Sequence, residues 1–196
     1  MKFLGIIPAR YASTRFPAKP LAILGGKTVI QRVYEQVAGI LDDAYVATDD
    51  ERIEKAVKAF GGKVVMTSVH HKSGTDRCYE ACVKIGGDFD VVVNANWNAL
   101  YFSRSIIPYQ RNAEKKDWLK GHTYYKHIGL YAYRTEVLRE ITALPQSSLE
   151  IAESLEQLRW LENGYKIKVG ISEVETIGID TPQDLARAEE FLKNRL

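Results

Sequence analysis

The chain has 196 residues, of which 45% are hydrophobic and 27% are charged, so its composition is that of a globular protein and excludes a disordered or fibrous one. Its formal net charge of +2 does not indicate a nucleic-acid partner. No apolar run approaches the roughly 20 residues that cross a bilayer, and the segment from Met1 to Arg10 is interpreted as a buried strand, not a signal peptide. We therefore expect neither a membrane nor a nucleic acid as partner.

The first half of the chain alternates strand and helix patterns. Short apolar runs predict buried strands, and apolar residues at helical spacing predict the helices between them. The predicted strands are FLGII (3–7), AYVAT (44–48), KVVMT (63–67) and FDVVVN (89–94), and the predicted helices are 28–40, 50–61 and 76–85. Repeated βα units of this length indicate an α/β protein with a Rossmann-like, mostly parallel sheet flanked by helices.

The second half is less regular. ALYFSRS (99–105), HIGLYAY (127–133) and YKIKVGIS (165–172) are predicted strands, and a single helix is predicted from Leu149 to Asn163. The last helix has a strong start signal, because Thr181 is a good N-cap, Pro182 suits the first turn and Asp184 completes a capping box.

Several motifs of known chemistry are missing from the sequence. Gly26-Lys27-Thr28 is not a P-loop, since Leu21 stands where the first glycine is needed, and there is no GxGxxG or GxSxG. The four histidines have no metal-ligand spacing. Cys78 and Cys82 lie four residues apart in a helical pattern, which favours two buried thiols and a cytoplasmic protein.

A stiff cationic loop follows the first predicted strand. The segment IPARYASTRFPAKP, from Ile7 to Pro20, holds three prolines and no glycine. Guanidinium groups and backbone N–H groups at turns bind phosphate oxygens well. In open α/β sheets ligands lie beyond the carboxyl ends of strands, where this loop, Asp49–Asp50 and Asn94 are all expected. Considered alone, a basic loop that serves only solubility is an equal alternative.

Two further polar stretches each have two interpretations. KSGTDR (72–77) is either a simple helix start with a capping hydroxyl or part of a ligand site. Asp180 lies beside the Thr181 cap, and a carboxylate there could bind Mg²⁺ together with substrate phosphates or could be structural.

Seven segments, in chain order, resemble the CMP-Kdo synthetases, the family of 3-deoxy-manno-octulosonate (Kdo) cytidylyltransferases. They are IPARYASTRFPAKPL, VATDD, HKSGTDR, ALYFSRSIIPY, KHIGLYAYR, SLEQLRWLENGYKI and GIDTPQDLARAE. The resemblance covers nearly the whole chain, and it implies a nucleotidyltransferase-type fold. It also implies a reaction in which the anomeric hydroxyl of Kdo attacks the α-phosphorus of CTP, giving CMP-Kdo and pyrophosphate for lipopolysaccharide biosynthesis.

The resemblance implies roles for individual residues. The CTP phosphates would be held by Arg10, Ser13, Thr14, Arg15 and Lys19, and Ser73 and Arg77 would lie near the base and ribose. The sugar-acid pocket would be lined by Arg104, His127, Tyr131, Glu156 and Gln157. Arg10, Lys19 and Asp180 would be catalytic, with Asp180 as the ligand of a Mg²⁺ cofactor. The family forms homodimers, so we expect one domain over 1–196 with a dimerisation excursion at 101–133.

One family motif has no counterpart. After DVVVN (90–94) the family continues with a glutamine-glycine-aspartate-glutamate-proline segment, which supplies a second metal-binding aspartate, whereas here ANWNALYFSRS follows Asn94. Several tens of family residues are either deleted, naturally or by engineering, or missing only from the printed sequence. The last is favoured, because losing the centre of a sheet would expose its core and edges. A real deletion would favour a catalytically impaired CTP-binding dimer. A cytidylyltransferase for another acidic sugar is a further alternative.

Overall fold

The computed structural model describes residues 3–13, 15–71, 73–85, 98–127, 129–173 and 177–194. They form two compact units, the first made of Met1–Val92, Ala132–Thr142 and Glu175–Leu196, and the second of Val93–Tyr131 and Ala143–Val174. The predicted excursion at 101–133 falls almost wholly in the second unit, and the number of domains stays a prediction. Thr14, Asn94 and the predicted strand at 89–94 lie outside the described residues.

The elements are these, in chain order. The strands are β1 (Leu4–Ala9), β2 (Ile23–Leu24), β3 (Lys27–Thr28), β4 (Asp43–Thr48) and β5 (Val64–Met66). The helices are α1 (Val29–Ala38), α2 (Glu51–Ala59), α3 (Gly74–Ile85), α4 (Trp118–Gly121), α5 (Thr135–Thr142), α6 (Ser148–Glu153), α7 (Gln157–Glu162) and α8 (Pro182–Lys193). No helix among the described residues is long and apolar enough to span a membrane.

The first unit is built on a parallel sheet of three strands in the order β1-β4-β5. Helix α1 connects β1 to β4 and α2 connects β4 to β5, which is the predicted βα repeat. Helices α1, α2 and α3 pack on the sheet, and the core is formed by Ala9, Ile30, Val46, Ile53 and Val57. A Rossmann-like α/β fold with a parallel sheet flanked by helices is therefore confirmed.

The helix starts of the first unit follow the sequence. The side chains of Thr28 and Asp50 accept hydrogen bonds from the first turns of α1 and α2. Helix α8 begins with the predicted capping box of Thr181 and Asp184, with Pro182 in its first turn. These local signals need no long-range partner, which is why the sequence identifies them. The sequence analysis did not identify α5, which packs against α3.

In the second half of the chain, the three predicted strands are wrong and the predicted helix is interrupted. In place of strands over ALYFSRS and YKIKVGIS, the described residues show only an isolated antiparallel bridge between Lys168 and Asn98, the residue before ALYFSRS, and the described residues of HIGLYAY form no strand. A strand needs a continuous row of paired backbone groups, and among the described residues only one further backbone hydrogen bond, from the Ala99 N–H to the Ile167 carbonyl (2.7 Å), joins these two segments. The helix predicted from Leu149 to Asn163 is broken into α6 and α7, because Ser154 adopts a left-handed conformation (φ 51°).

Candidate functional site

The carboxyl ends of the three parallel strands lie side by side. Ala9 at the end of β1 is paired with Thr48 of β4, and Thr48 is paired with Met66 of β5. The polar residues that follow these strands, Arg10 and Asp49, are therefore brought to one edge of the sheet. This is the edge at which α/β sheets bind ligands, and the loop from 7 to 20 starts there.

The cationic loop is held by short-range contacts. The Tyr11 carbonyl accepts a hydrogen bond from the Ala18 N–H (3.0 Å), and the Ser13 hydroxyl accepts one from the Phe16 N–H (3.4 Å). The guanidinium of Arg52, at the start of α2, lies 3.3 Å above the centre of the Tyr11 ring. A stacked guanidinium of this kind favours one ring position. The loop therefore has a defined start and a defined turn.

A carboxylate lies between two cations of this loop. Lys19 Nζ donates to Asp180 Oδ1 (3.1 Å), and Arg15 Nη2 lies 3.2 Å from Asp180 Oδ2. The Arg15 and Asp180 side chains are 67% and 51% exposed, so solvent screens this contact and it contributes little stability. Arg10 is exposed and has no ion pair with any other described residue. The loop thus has three cationic side chains that could bind an anion, and two of them, Arg15 and Lys19, already contact the Asp180 carboxylate.

The capping box of α8 fixes the position of Asp180. The Asp184 carboxylate accepts hydrogen bonds from the N–H groups of Asp180 (3.1 Å) and Thr181 (2.8 Å). The Thr181 hydroxyl, the Arg187 guanidinium and these N–H groups hold the pKa of Asp184 well below its usual range. The same local signal that starts the helix therefore places the Asp180 carboxylate against the loop.

Arg77 has a buried ion pair at the strand ends. Its Nη2 donates to Asp49 Oδ2 (2.9 Å) and its Nη1 to Thr67 Oγ1 (2.5 Å), and the residue is only 5% exposed. The Ser73 hydroxyl accepts a hydrogen bond from the Asp76 N–H at the start of α3. Both side chains therefore have structural contacts at the predicted nucleotide edge, and their contact with base and ribose stays a prediction.

Asp180 is the candidate for holding a metal. No cluster of three or more His, Cys, Asp or Glu side chains that could bind a metal occurs within the described ranges. A single exposed carboxylate beside cations suits Mg²⁺ where phosphate oxygens supply further ligands, because Mg²⁺ commonly takes one or two carboxylates plus substrate phosphates. The residues present thus fit a metal that arrives with a triphosphate.

In the second unit, an aromatic cluster joins two predicted sugar-site residues. The His127 ring lies against Phe102 (centroids 5.2 Å apart) and Tyr131 (5.4 Å), and its Nε2 is 2.7 Å from the Tyr131 hydroxyl. Burial lowers the pKa of His127, so the ring is neutral at physiological pH. Burial, with a smaller contribution from Glu156, raises the pKa of Tyr131 to about 12. The pair therefore offers uncharged hydrogen-bonding groups.

Helix α7 carries an amide with an unused donor. Gln157 is 4% exposed, and its Nε2 has no hydrogen-bond partner among the described residues. A buried donor without a partner costs about 1–3 kcal/mol, so it is usually kept for a ligand or water. Trp160 of the same helix packs edge-on against Tyr131, with centroids 5.6 Å apart. Trp160 thus connects Tyr131 to the helix that carries Gln157.

A buried ion pair holds α6 to α7. Arg159 donates from Nε and Nη2 to the two oxygens of Glu150 (2.8 and 2.6 Å), and from Nη1 to the Leu144 carbonyl (3.2 Å). The side chains of Arg159 and Glu150 are 7% and 8% exposed. With every edge of the guanidinium bonded, this pair is the fixed frame on which Gln157 and Glu156 are placed.

Arg104 is bonded to the end of α6. Its Nε donates to the Glu153 carbonyl (2.7 Å) and its Nη2 to the Ser154 carbonyl (3.0 Å). Ser154 immediately precedes the Leu155-Glu156-Gln157 sequence. The five residues predicted to bind the sugar acid are therefore all in the second unit, and the described residues predicted for the nucleotide and the metal are all in the first.

Comparisons with known proteins assign the family. A sequence model of the cytidylyltransferase family matches residues 4–96 and 87–167. The chain is 73% identical to the 3-deoxy-manno-octulosonate cytidylyltransferase of Bacteroides thetaiotaomicron and 68% identical to that of Phocaeicola vulgatus, with all of this chain and 100% and 99% of those relatives covered. The chain belongs to the 3-deoxy-manno-octulosonate cytidylyltransferase family.

A solved structure agrees with this family. The structure of a CMP:2-keto-3-deoxy-manno-octonic acid synthetase complexed with CTP has a TM-score of 0.86 and 37% identity, covering 98% of this chain and 99% of that chain. The predicted family, the nucleotidyltransferase-type fold and the predicted class of enzyme are thereby confirmed. The alignment with the Bacteroides relative spans 249 positions, 53 more than the 196 residues of this chain.

The sequence analysis missed several residues that arrange the site. Arg52 and Glu153 hold Tyr11 and Arg104, and Asp49, which was expected at the strand end but with no partner named, holds Arg77. A signal for Glu153 was present, because Glu150, Glu153 and Glu156 recur at three-residue spacing across a predicted helix. Such spacing places them near one face, but it does not say which loop they meet.

Proposed function

We propose that this chain transfers a cytidylyl group from CTP to Kdo, releasing pyrophosphate and forming CMP-Kdo for lipopolysaccharide biosynthesis. The observation that carries the proposal is the Asp180 carboxylate held between Arg15 and Lys19, in a chain of this family. An anion already lies against the loop, so the phosphates of CTP would find cations arranged for them. The reaction needs little else than neutralised phosphates and an aligned hydroxyl.

In the first unit, the cationic loop would bind the phosphates of the nucleotide. Arg10, Arg15 and Lys19 would bind the triphosphate and stabilise the pyrophosphate as it leaves, with Ser13 and Thr14 as further donors. Asp180 would hold Mg²⁺ once its two cations turn to the phosphates. Bound Mg²⁺ would supply additional charge neutralisation at the phosphates. Ser73 and Arg77 would border the base and ribose from the start of α3.

On the acceptor side, the second unit would bind the sugar acid. Arg104 suits the carboxylate, since a guanidinium binds a carboxylate through two parallel hydrogen bonds. Gln157 would donate its unused N–H to a hydroxyl, and His127, Tyr131 and Glu156 would complete the polar lining. The anomeric hydroxyl would then attack the α-phosphorus: a new O–P bond would form as the bond from the α-phosphorus to the pyrophosphate oxygen breaks, and the hydroxyl proton would pass to water.

A pyrophosphate-release assay tests the proposed reaction. The chain is mixed with CTP and Mg²⁺, and release is compared with Kdo, with N-acetylneuraminate and with no acceptor. We expect release that depends on Kdo. Release with N-acetylneuraminate alone would favour the alternative of another acidic sugar, and no release with any acceptor would contradict the proposal.

We also propose that the protein works as a homodimer in the cytoplasm. Several large apolar side chains between 100 and 130 are exposed, among them Leu100 (93%), Leu119 (80%) and Leu130 (82%), which is typical of a surface that meets another protein. Cys78 and Cys82 are half-buried and form no disulfide, as in a reducing compartment. Sedimentation equilibrium should give about twice the 22.2 kDa of one chain, and Leu119→Asp should reduce the mass to that of a monomer.

A second candidate is a CTP-binding dimer with impaired catalysis. It is favoured by the 53 alignment positions without a residue of this chain, and by a family match in two segments that overlap at 87–96. An intact mass of 22.2 kDa, with a peptide spanning Asn94 and Ala95, would establish the deletion. CTP binding without pyrophosphate release by that chain would then establish this candidate. A mass several kDa higher would exclude it.

A further inference from the structure

The loop from Ser103 to Ser105 and the end of α6 are tied together in both directions. The Glu153 carboxylate accepts hydrogen bonds from the Ser103 hydroxyl (2.8 Å) and the Arg104 N–H (2.9 Å). Ser103 Oγ in turn accepts the N–H of Ser105 (3.0 Å). In the reverse direction, the Arg104 guanidinium donates to the carbonyls of Glu153 and Ser154. Four hydrogen bonds thus cross between two segments about 50 residues apart in sequence.

These hydrogen bonds leave one edge of the Arg104 guanidinium available. The edge formed by Nε and Nη2 is occupied by the two carbonyls, whereas Nη1 has no partner among the described residues. Arg104 is exposed, so its Nη1/Nη2 edge can reach a ligand. A carboxylate can bind such an edge with two parallel hydrogen bonds. The contacts therefore leave the Nη1/Nη2 edge of Arg104 as the edge that can bind the carboxylate of a ligand.

The hydrogen bonds between residues 103–105 and the end of α6 lie close in sequence to residues of the proposed acceptor site. Residues 103–105 carry Arg104, and α6 ends at Glu153 three residues before Glu156. The N–H of Arg104 and the hydroxyl of Ser103 hold the pKa of Glu153 below its usual value, so its side chain is a carboxylate at neutral pH. One charged acceptor thus serves both donors of the loop.

We infer that Glu153 is a positioning residue for the acidic sugar: its carboxylate fixes Arg104 beside α7, with the Nη1/Nη2 edge turned to the carboxylate of the ligand. Glu153 need not touch the sugar. The inference rests on the proposed function, since it assumes that Arg104 binds the carboxylate of Kdo. It predicts that removing the charge of Glu153 weakens binding of an anion, although Coulomb attraction alone would then become stronger.

The test is a calorimetric titration of Kdo, and separately of CTP, into the full chain and its variants. For Glu153→Gln we expect the Kd for Kdo to rise about tenfold, as for the loss of one charge-assisted hydrogen bond, and the Kd for CTP to stay within about twofold. Glu136→Gln is the matched control, because it removes an exposed carboxylate of the first unit and should leave both values unchanged.

The outcomes separate the inference from the proposed function. Should Glu153→Gln fail to fold, Ser103→Ala removes one donor to Glu153, together with the acceptor of the Ser105 N–H, and we expect its Kd for Kdo to rise about threefold. Unchanged or tighter Kdo binding in these variants, with normal binding by the wild type, would overturn the role of Glu153 alone. A wild-type chain that binds CTP but not Kdo would overturn the proposed acceptor, and the inference with it.

Discussion

In the first unit, the ion pairs of the cationic loop face solvent, whereas in the second unit the pair of Glu150 and Arg159 is almost fully buried. Arg15 and Lys19 can exchange Asp180 for another anion at little cost, because water already screens their attraction. Arg159 cannot leave Glu150 without leaving a charge buried. Exposed pairs are therefore suited to a ligand that must be exchanged, and a buried pair to a frame that must not move.

The two units differ in the same way in their polar groups that have no partner among the described residues. In the first unit, Arg10 is an exposed cation with no ion pair among the described residues, and water can solvate its charge when no ligand is bound. In the second unit, Gln157 Nε2 is buried without a described partner, which is unfavourable until a ligand accepts its N–H. Under the proposed function, a charged triphosphate and a polyhydroxylated acid would thus be recognised by different physical means.

The largest expected effect comes from the buried pair. Arg159→Ala should lower the free energy of unfolding by about 3–5 kcal/mol, because it leaves the Glu150 carboxylate buried and unpaired. Arg15→Ala, the exposed counterpart, should lower it by less than about 1 kcal/mol. Urea titration followed by far-ultraviolet circular dichroism is the measurement, because it reports the helices of both units. Equal losses in the two variants would contradict the contrast.

For nucleotide binding, the decisive side chain is Lys19. We expect Lys19→Ala to raise the Kd for CTP about 10- to 100-fold through loss of a charge-assisted contact, and to leave the Kd for Kdo unchanged. Lys27→Ala is the control, since Lys27 pairs with Glu35 outside the loop. Calorimetry measures both ligands. If Lys27→Ala weakened CTP binding as much as Lys19→Ala, general charge and not the loop would bind the nucleotide.

Gln157 gives two effects of opposite sign. Gln157→Leu should raise the Kd for Kdo about tenfold and at the same time stabilise the chain by about 1 kcal/mol, because the amide without a described partner is replaced by an apolar side chain. Thermal melting and calorimetry check the two results on the same sample. A loss of both stability and affinity would mean that the amide has a structural partner, and would remove it from the acceptor site.

The smallest effect is a pH dependence in the first unit. Burial of Glu80 raises its pKa, but hydrogen bonds from Lys84, the Ser68 N–H and His71 outweigh this and lower the pKa from 4.5 to about 2. The carboxylate therefore stabilises the fold above pH 4.5, and the benefit is lost as the pH falls toward 2. After solvent screening we expect about 1 kcal/mol, measured as a loss of stability between pH 5 and 2 that Glu80→Gln makes shallower. An unchanged slope in Glu80→Gln would show that Glu80 does not contribute.

The two units also differ in how far the sequence predicts them. The strands and helices of the βα repeat and the cap at Thr181 follow from local patterns, and the structure has them within a few residues. The break at Ser154 and the missing strands in the second unit depend on tertiary contacts, such as those of Arg104 with α6. Binding residues were predicted by family resemblance, and Asp184 was predicted from the capping box, whereas other partners that hold binding residues, such as Glu153 and Arg52, appear only once the chain is folded.

The division of ligands between the units is tested most directly by hydrogen exchange of the wild-type chain with CTP and with Kdo in turn. We predict that CTP slows exchange in peptides covering 7–22 and 177–184 and leaves 148–163 unchanged, because the proposal places its phosphates at the cationic loop and Asp180. Kdo should slow exchange at 101–105 and 153–160. Protection of 148–163 by CTP alone, or of 7–22 by Kdo alone, would contradict the account.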